Sequence, residues 1–486
     1  MWLVIAAAVV LLALIYWNGV KDFSLLAEIP LNGPKPWPYV GNILDVFKYG
    51  GLHKTYMAYF KKYGRVYKMA IGRKPTIVVN DPEMVKQITV KEFSKFRNRT
   101  PPIQLNPPLS SGVFFARDAT WKRIRTTLNP TFSAAKLRQV VPLIETSCDK
   151  LAKKMHRFAE TGESVNCTKL FSLFALDVIM KAAFGYDVDI QNDAEATLIK
   201  RAKEALKTPI WIRFFSMFPF NKYLSKLTNP IGHLDYFASI ARSMIESRKS
   251  VGYVENGRRD LLQLMLEAHK EELAEGLTRL SDEELAAQSV IFLLGGFETT
   301  GTTLSCAAHV LATRPDIQEK LIQEIDKARE NKGSESLYDF VQKIDYLDQF
   351  ISEVLRIYSP AFNLIRECNE EVVIAGIRFS KGIDVAIPNY SLHRDPDSWE
   401  KPEEFNPDHF TAEAKAKRHP YSYLPFGIGP RQCIGMRFAM NEIKVGLFNV
   451  LEKFKFEKAP ETVEIEGRAV LLMRPKDDVI LRIVER

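Results

Sequence analysis

The sequence predicts a mainly α protein with a small mixed β-sheet, carried on an N-terminal transmembrane helix. Three observations carry that prediction. The first twenty residues hold no charged side chain. Helix-type spacing fills most of the stretch between two short alternating runs, residues 65–80 and 371–388. Those runs have the period of strands and lie far apart, so any sheet they share must be assembled from distant segments.

The opening segment, "MWLVIAAAVVLLALIYWNGV", is just long enough to cross a hydrocarbon layer that needs ~20 apolar residues. Trp2 at one end and Tyr16 and Trp17 at the other suit the two lipid–water interfaces. A cleaved secretory signal would carry positive charge ahead of the apolar run, and only Met1 stands there. Basic residues begin at Lys21, which leaves the body on the cytosolic side. Residues 1–20 are therefore expected to be a retained anchor. Residues 21–43 are expected to be a tether, because "IPLNGPKPWPYVGN" contains four prolines and cannot be helical throughout. It would hold the body at a set angle to the bilayer, or serve as a turn-rich entry loop. Residues 44–486 follow without a convincing linker, as one body.

Hydrophobic content of 46% and charged content of 26% exclude wholesale disorder. The net charge of +8 suits an acidic partner or an anionic membrane surface. Nucleic acid is not expected as a partner, since the basic residues are spread out and no binding motif stands out. Five cysteines, an odd number in a long chain, do not read as a disulfide framework and point to a reducing compartment.

Within the body, "RVYKMAIGRKPTIVVN" breaks at Gly72 to Pro75 and predicts a hairpin. "EVVIAGIRFSKGIDVAIP" is expected to do the same around Gly376 and Gly382. The longest helix starts from a capping-box pattern, Ser281 with Glu284, and runs to about Thr313, ended by Pro315. Such a helix is roughly 45–50 Å long. Its middle, "LLGGFETTGTT", holds Gly295 and Gly296, each costing ~1 kcal/mol against alanine. They call either for close approach of a flat ligand to the backbone or for a helix-packing notch. Glu298 and Thr299 follow within a turn and need partners in an apolar helix.

In "YLPFGIGPRQCIG", residues 423–435, one cysteine stands ahead of a further helical pattern: Met436, Met440, Ile443, Leu447, Leu451 and Phe454. Asn441, Glu442, Lys444, Glu452 and Lys453 take the other side. Cys433 is thus placed at a helix N-terminus, where free N–H groups favour a thiolate. Gly429 and Gly435 permit tight turns, and Arg431 is placed to meet an anion. A thiolate in such a loop suits a single-cysteine iron ligand. A nucleophile would want a histidine partner, which is not evident. A zinc site would want more ligands at metal spacing. Cys148, Cys167, Cys306 and Cys368 read as core residues.

Together Phe426, Gly429, Arg431, Cys433 and Gly435 match F-x-x-G-x-R-x-C-x-G, and by this loop the chain resembles the cytochrome P-450 family. The resemblance runs from the anchor to the C-terminus and is strongest to animal microsomal members that oxidise drugs and steroids. "WKRIR" looks like the family's W-x-x-x-R, which implies that Trp121 and Arg125 bind a haem propionate. Arg366 and Arg431 match two further propionate-directed arginines. Glu353 and Arg356 match E-x-x-R, a structural ion pair whose third member is usually an arginine, where this chain offers His409. Gly295 to Thr299 resembles the distal motif, in which a small residue faces the haem while Glu298 and Thr299 deliver protons.

The resemblance implies a cytochrome P-450-type fold and haem b (iron protoporphyrin IX) with Cys433 as axial ligand. It implies a monooxygenase that inserts one oxygen atom from O2 into a steroid, fatty acid or xenobiotic. No flavin or nicotinamide motif is apparent, so electrons are expected from an NADPH-cytochrome reductase, with cytochrome b5 as a second donor. Lys122, Arg123, Arg437 and Lys444 are candidates for its docking face. The expected location is the endoplasmic reticulum membrane, with residues 44–486 as a catalytic domain facing the cytosol. The aromatic cluster in residues 208–224 is expected to roof the substrate cavity and to dip into the membrane. A reductase-independent isomerase and a haem-based ligand sensor are the competing functions.

Overall fold

The structure is a computed structural model that describes residues 1–100, 109–185, 190–191, 232–250, 260–268, 280–469 and 472–486. The aromatic cluster at 208–224 lies outside the described residues. Helix α1 (Trp2–Val20) projects from the body with all but its last residues exposed. The body is built on helices α2 (Asp118–Leu128), α3 (Ala134–Thr161), α4 (Cys167–Ile179), α5 (Asp282–Thr313), α6 (Asp345–Ile357) and α7 (Met436–Leu451). Among the described residues, two helical stretches are long and apolar enough to cross a bilayer, Trp2–Ala27 and α5, but α5 is mostly buried inside the protein. It is a core helix.

The small mixed sheet contains β1 (Val66–Ile71), β2 (Lys74–Val79), β3 (Leu364–Glu367) and β4 (Asp384–Ile387), in the order β1-β2-β4-β3. The expected hairpin at Gly72 forms, with Tyr67 opposite Val78 and Gly72 at φ +59°. Strand β2 then pairs in parallel with β4, Ile77 opposite Val385, and β4 pairs antiparallel with β3. The second expected hairpin forms only around Gly376, between Val372–Ile374 and Ile377–Phe379. Beyond Gly382 the chain leaves that hairpin as β4. Every residue of β4 is buried, and a strand buried on both faces belongs at the centre of a sheet.

Helix α5 has the predicted capping box. Ser281 Oγ accepts from the Glu284 N–H at 3.2 Å, and the Glu284 carboxylate accepts from the Ser281 N–H at 2.9 Å. The helix is continuous through its glycines. A Cβ on Gly296 would sit 2.9 Å from the Ile179 side chain, and one on Gly301 would sit 3.0 Å from Ser172 Cα, so both are notches for α4. A Cβ on Gly295 would meet nothing within 4 Å. Of the two adjacent glycines, Gly296 is thus a packing notch, while Gly295 faces open space.

Helix α7 departs from its expected outer face. Asn441, Glu442 and Lys444 are all buried, because α7 packs against α3, α5 and α6 at once. Phe454 lies beyond the helix, in a strand.

Candidate active site

The cysteine loop folds back on itself before α7. Gly427 and Gly429 adopt φ of +70° and +74°, and a Cβ on Gly429 would lie 2.2 Å from the Thr89 carbonyl oxygen. Only glycine fits there. The Cys433 N–H donates to the Phe426 carbonyl at 2.8 Å. Gly435 caps α7, and its N–H donates to the sulfur. Cys433 lies deep among protein atoms yet keeps accessible surface, whereas the other four cysteines are buried. Both hold for a thiol that faces an internal hollow. Burial pushes the thiol pKa up, and the Gly435 N–H with Arg125 and Arg99 works against it. The donors expected from a helix N-terminus are present but do not outweigh desolvation, and a cation bound at the sulfur would favour the thiolate.

Four guanidiniums, those of Arg99, Arg125, Arg366 and Arg431, lie close to one another, and Arg99 and Arg125 also act on this sulfur. Arg431 donates to the carbonyls of Arg97 (2.9 Å), Val113 (3.2 Å) and Ala116 (2.7 Å), and its guanidinium lies 4.3 Å from the centre of the Trp121 ring. Arg99 donates to the Arg431 carbonyl at 2.9 Å. Arg366 is buried, donates to the Ile365 carbonyl, and leaves Nε without a partner. Arg125 and the Trp121 indole N–H have no partner among the described residues. Burial, together with mutual repulsion, pulls Arg431 down to about 8. The same causes pull Arg366 down to about 9, next to Arg99. Arg99 itself falls to about 10 and Arg125 is also lowered, chiefly by burial. No carboxylate forms a salt bridge to any of the four among the described residues. Such a cluster suits a ligand carrying more than one negative charge.

Gly295 and Thr299 of α5 supply open backbone and a hydroxyl. Thr299 Oγ1 donates to the Gly295 carbonyl. Glu298 is not bonded to Thr299; its carboxylate accepts from Arg474 Nη1 at 3.1 Å. Burial raises the Glu298 pKa, and Arg474 holds part of that rise back.

Glu353 and Arg356 are fully buried and bidentate at 2.7 and 2.8 Å. Arg356 also donates to the carbonyls of His393, Pro402 and Glu404. His409 completes the network, with Nδ1 3.1 Å from the Glu353 carboxylate and Nε2 2.8 Å from the Glu400 carbonyl.

The structure also corrects the docking set. Lys122 and Arg437 are exposed. Arg123 is taken up by Glu284, and Lys444 is buried against Gln342 and Asp348 at 2.9 Å each. Arg99 was missed because it belongs to no motif. Its burial beside Arg431 appears only once the chain is folded.

A lone inward-facing thiol, a set of unpaired arginines and an open helix backbone are what a haem with two propionates and a thiolate ligand requires, and the residues fit that group. The family match agrees. This chain belongs to the cytochrome P450 family, whose profile matches residues 31–481. It is 38% identical to cytochrome P450 3A1 of Rattus norvegicus over 497 residues, covering 100% of this chain and 96% of that protein. It is likewise 38% identical over 499 residues to cytochrome P450 3A11 of Mus musculus and 37% identical over 494 residues to cytochrome P450 3A29 of Sus scrofa, with the same shares covered. The protein is a haem-thiolate monooxygenase, and its apolar N-terminal helix fits membrane anchoring.

Proposed function

We propose that this enzyme inserts one oxygen atom from O2 into a lipophilic substrate (steroid, fatty acid or xenobiotic), with electrons delivered by an NADPH-dependent reductase. The observation that carries the reading is the accessible Cys433 thiol beside a cluster of four guanidiniums that form no salt bridge to a carboxylate among the described residues. Cys433 would ligate the haem iron, and the Gly435 N–H would position its sulfur. Arg99, Arg125, Arg366 and Arg431 would hold the propionates, with Trp121 braced against Arg431. Haem bound through a thiolate supplies dioxygen activation and favours O–O cleavage.

The chain's own part is proton delivery. The Thr299 hydroxyl, which donates to the Gly295 carbonyl, would pass a proton on when that bond is released. Burial favours protonated Glu298 and Arg474 favours the carboxylate, so this side chain is poised to take up a proton and pass it on. Such a relay serves oxygen activation, which favours monooxygenation over reductase-free isomerisation. Lys122 and Arg437 are the exposed cations offered to an acidic reductase surface; cytochrome b5 is a second candidate for that face. Residues 1–20 anchor, 21–43 tether and 44–486 catalyse, on the cytosolic side of the endoplasmic reticulum.

The reduced protein's carbon monoxide difference spectrum tests the ligand: Cys433→Ser should lose the thiolate band together with turnover. Hydroxylation surviving in that variant would refute the assignment. Reduction by the reductase should weaken steeply with salt while substrate binding does not.

A further inference from the structure

We infer that the hairpin of β5 (Gly467–Ala469) and β6 (Met473–Pro475) carries a subsite for the carboxylate of an amphipathic substrate, formed by Arg468 and Arg474. The inference deepens the reading of a monooxygenase acting on lipophilic compounds and rests on it: among those compounds it picks out acids with a long apolar chain.

The register of the hairpin sets Arg468 directly opposite Arg474. Residues so placed lie on the same face with Cβ atoms about 4.5–5.5 Å apart, where like charges repel. Such a pair calls for an anion. Glu298 of α5 meets part of that need, since its carboxylate accepts from Arg474 Nη1 at 3.1 Å. Arg468 is exposed and forms no ion pair among the described residues. Glu466, just ahead of β5, is held by Lys54 at 2.7 Å and Lys476 at 3.1 Å. One face of the hairpin thus offers two guanidiniums to a single carboxylate.

This face stands at the rim of the site. Met473, which strand alternation turns away from Arg474, is buried in one apolar cluster with Tyr56 and Phe362, and its N–H donates to the Pro360 carbonyl at 2.8 Å. The chain from Pro360 runs on into β3, where the Leu364 side chain lies 3.5 Å from the place a Cβ on Gly427 would take in the cysteine loop. On the other side, β6 packs against α5. Glu298 stands three residues from the open backbone of Gly295, about 4.5 Å along the helix. An apolar chain lying against Gly295 can therefore end at the arginines. The Arg474 side chain is 45% exposed and that of Glu298 18%, so the pair is open to an incoming group. Guanidiniums match the planar fork of a carboxylate, and Glu298 competes with that carboxylate for Arg474.

Decanoic acid and methyl decanoate, titrated by calorimetry at about pH 8 into the full-length holoprotein in phosphatidylcholine nanodiscs, test this. The acid is ionised there and the ester is neutral. Comparing their affinity ratio between variants cancels partitioning into lipid. Arg468→Gln should weaken the acid about fivefold at low salt, the scale of an exposed ion pair, and leave the ester unchanged. Arg468→Lys should keep most of the acid's affinity. Glu298→Gln removes the competitor and should tighten the acid but not the ester. Equal losses for acid and ester in Arg468→Gln, or an unchanged ratio, would overturn the subsite. Weaker acid binding in Glu298→Gln would overturn it too. The carbon monoxide spectrum of the parent separates this from the haem reading. A thiolate band without discrimination between acid and ester sinks the subsite alone, whereas a missing band sinks the haem reading and the subsite together.

Discussion

Replacing Glu353 with glutamine isolates the charge that holds the E-x-x-R network together. Arg356 makes five donations, two to Glu353 and three to backbone carbonyls, at zero exposure. Glutamine keeps the size of the side chain and one acceptor, so the loss is mainly electrostatic. A stranded buried cation costs about 3–5 kcal/mol, a large share of a native stability of about 5–15 kcal/mol. Unfolding entropy of about 2.1 cal/mol/K per residue, over 486 residues, amounts to about 1 kcal/mol/K. The melting midpoint should therefore fall by about 3–5 °C if the body unfolds as a unit. Differential scanning calorimetry of the holoprotein reads this directly. Adding Arg356→Met removes the stranded charge, so the double variant should lose less than the sum of its singles. A single variant that melts with the parent, or a strictly additive double, would refute the account.

Thr299→Ala should leave substrate binding intact and divert reducing equivalents to hydrogen peroxide in solution; coupling equal to the parent's would exclude the relay. Removing the cation beside Glu298 with Arg474→Gln should raise that carboxyl further, moving the coupling–pH profile to higher pH. Asp384 is buried at the start of β4, accepts from Thr100 at 2.5 Å, and is raised by desolvation from 3.8 to about 6. A carboxyl raised on folding stabilises the protein below the unfolded pKa and loses that contribution as pH rises through the folded one. Asp384→Asn should therefore gain on the parent across pH 4–6, by about 3 kcal/mol in total; parallel stability curves would count against the shift.

What could be read in advance followed from covalent spacing. The capping box of α5, the hairpin at Gly72 and the E-x-x-R pair are set by residues within four of one another, and each formed as expected. Contacts between distant segments were less legible. Arg99 enters the arginine cluster through a carbonyl 332 residues away, and no local pattern signals that. Glu442 and Lys444 were assigned to water because helical spacing divides residues between two faces. A helix enclosed on several sides has no solvent face, and only packing reveals it. The spacing shows that Glu298 needs a partner, and a strand far downstream supplies it as Arg474.

The parallel pairing of β2 with β4 has a consequence for biosynthesis. Ile77 meets Val385 across that ladder, so the second edge of the hairpin has no native partner until some three hundred further residues are made. At translation speeds of about 5–20 residues per second that interval lasts about 15–60 s. Throughout it, α1 is already available to the translocation machinery while Thr76, Ile77 and Val78 present an open strand edge, a template for wrong pairing. The nascent chain's most vulnerable window is thus timed by the ribosome, and slowing or shielding elongation over that stretch acts on the yield of folded enzyme rather than on its final stability.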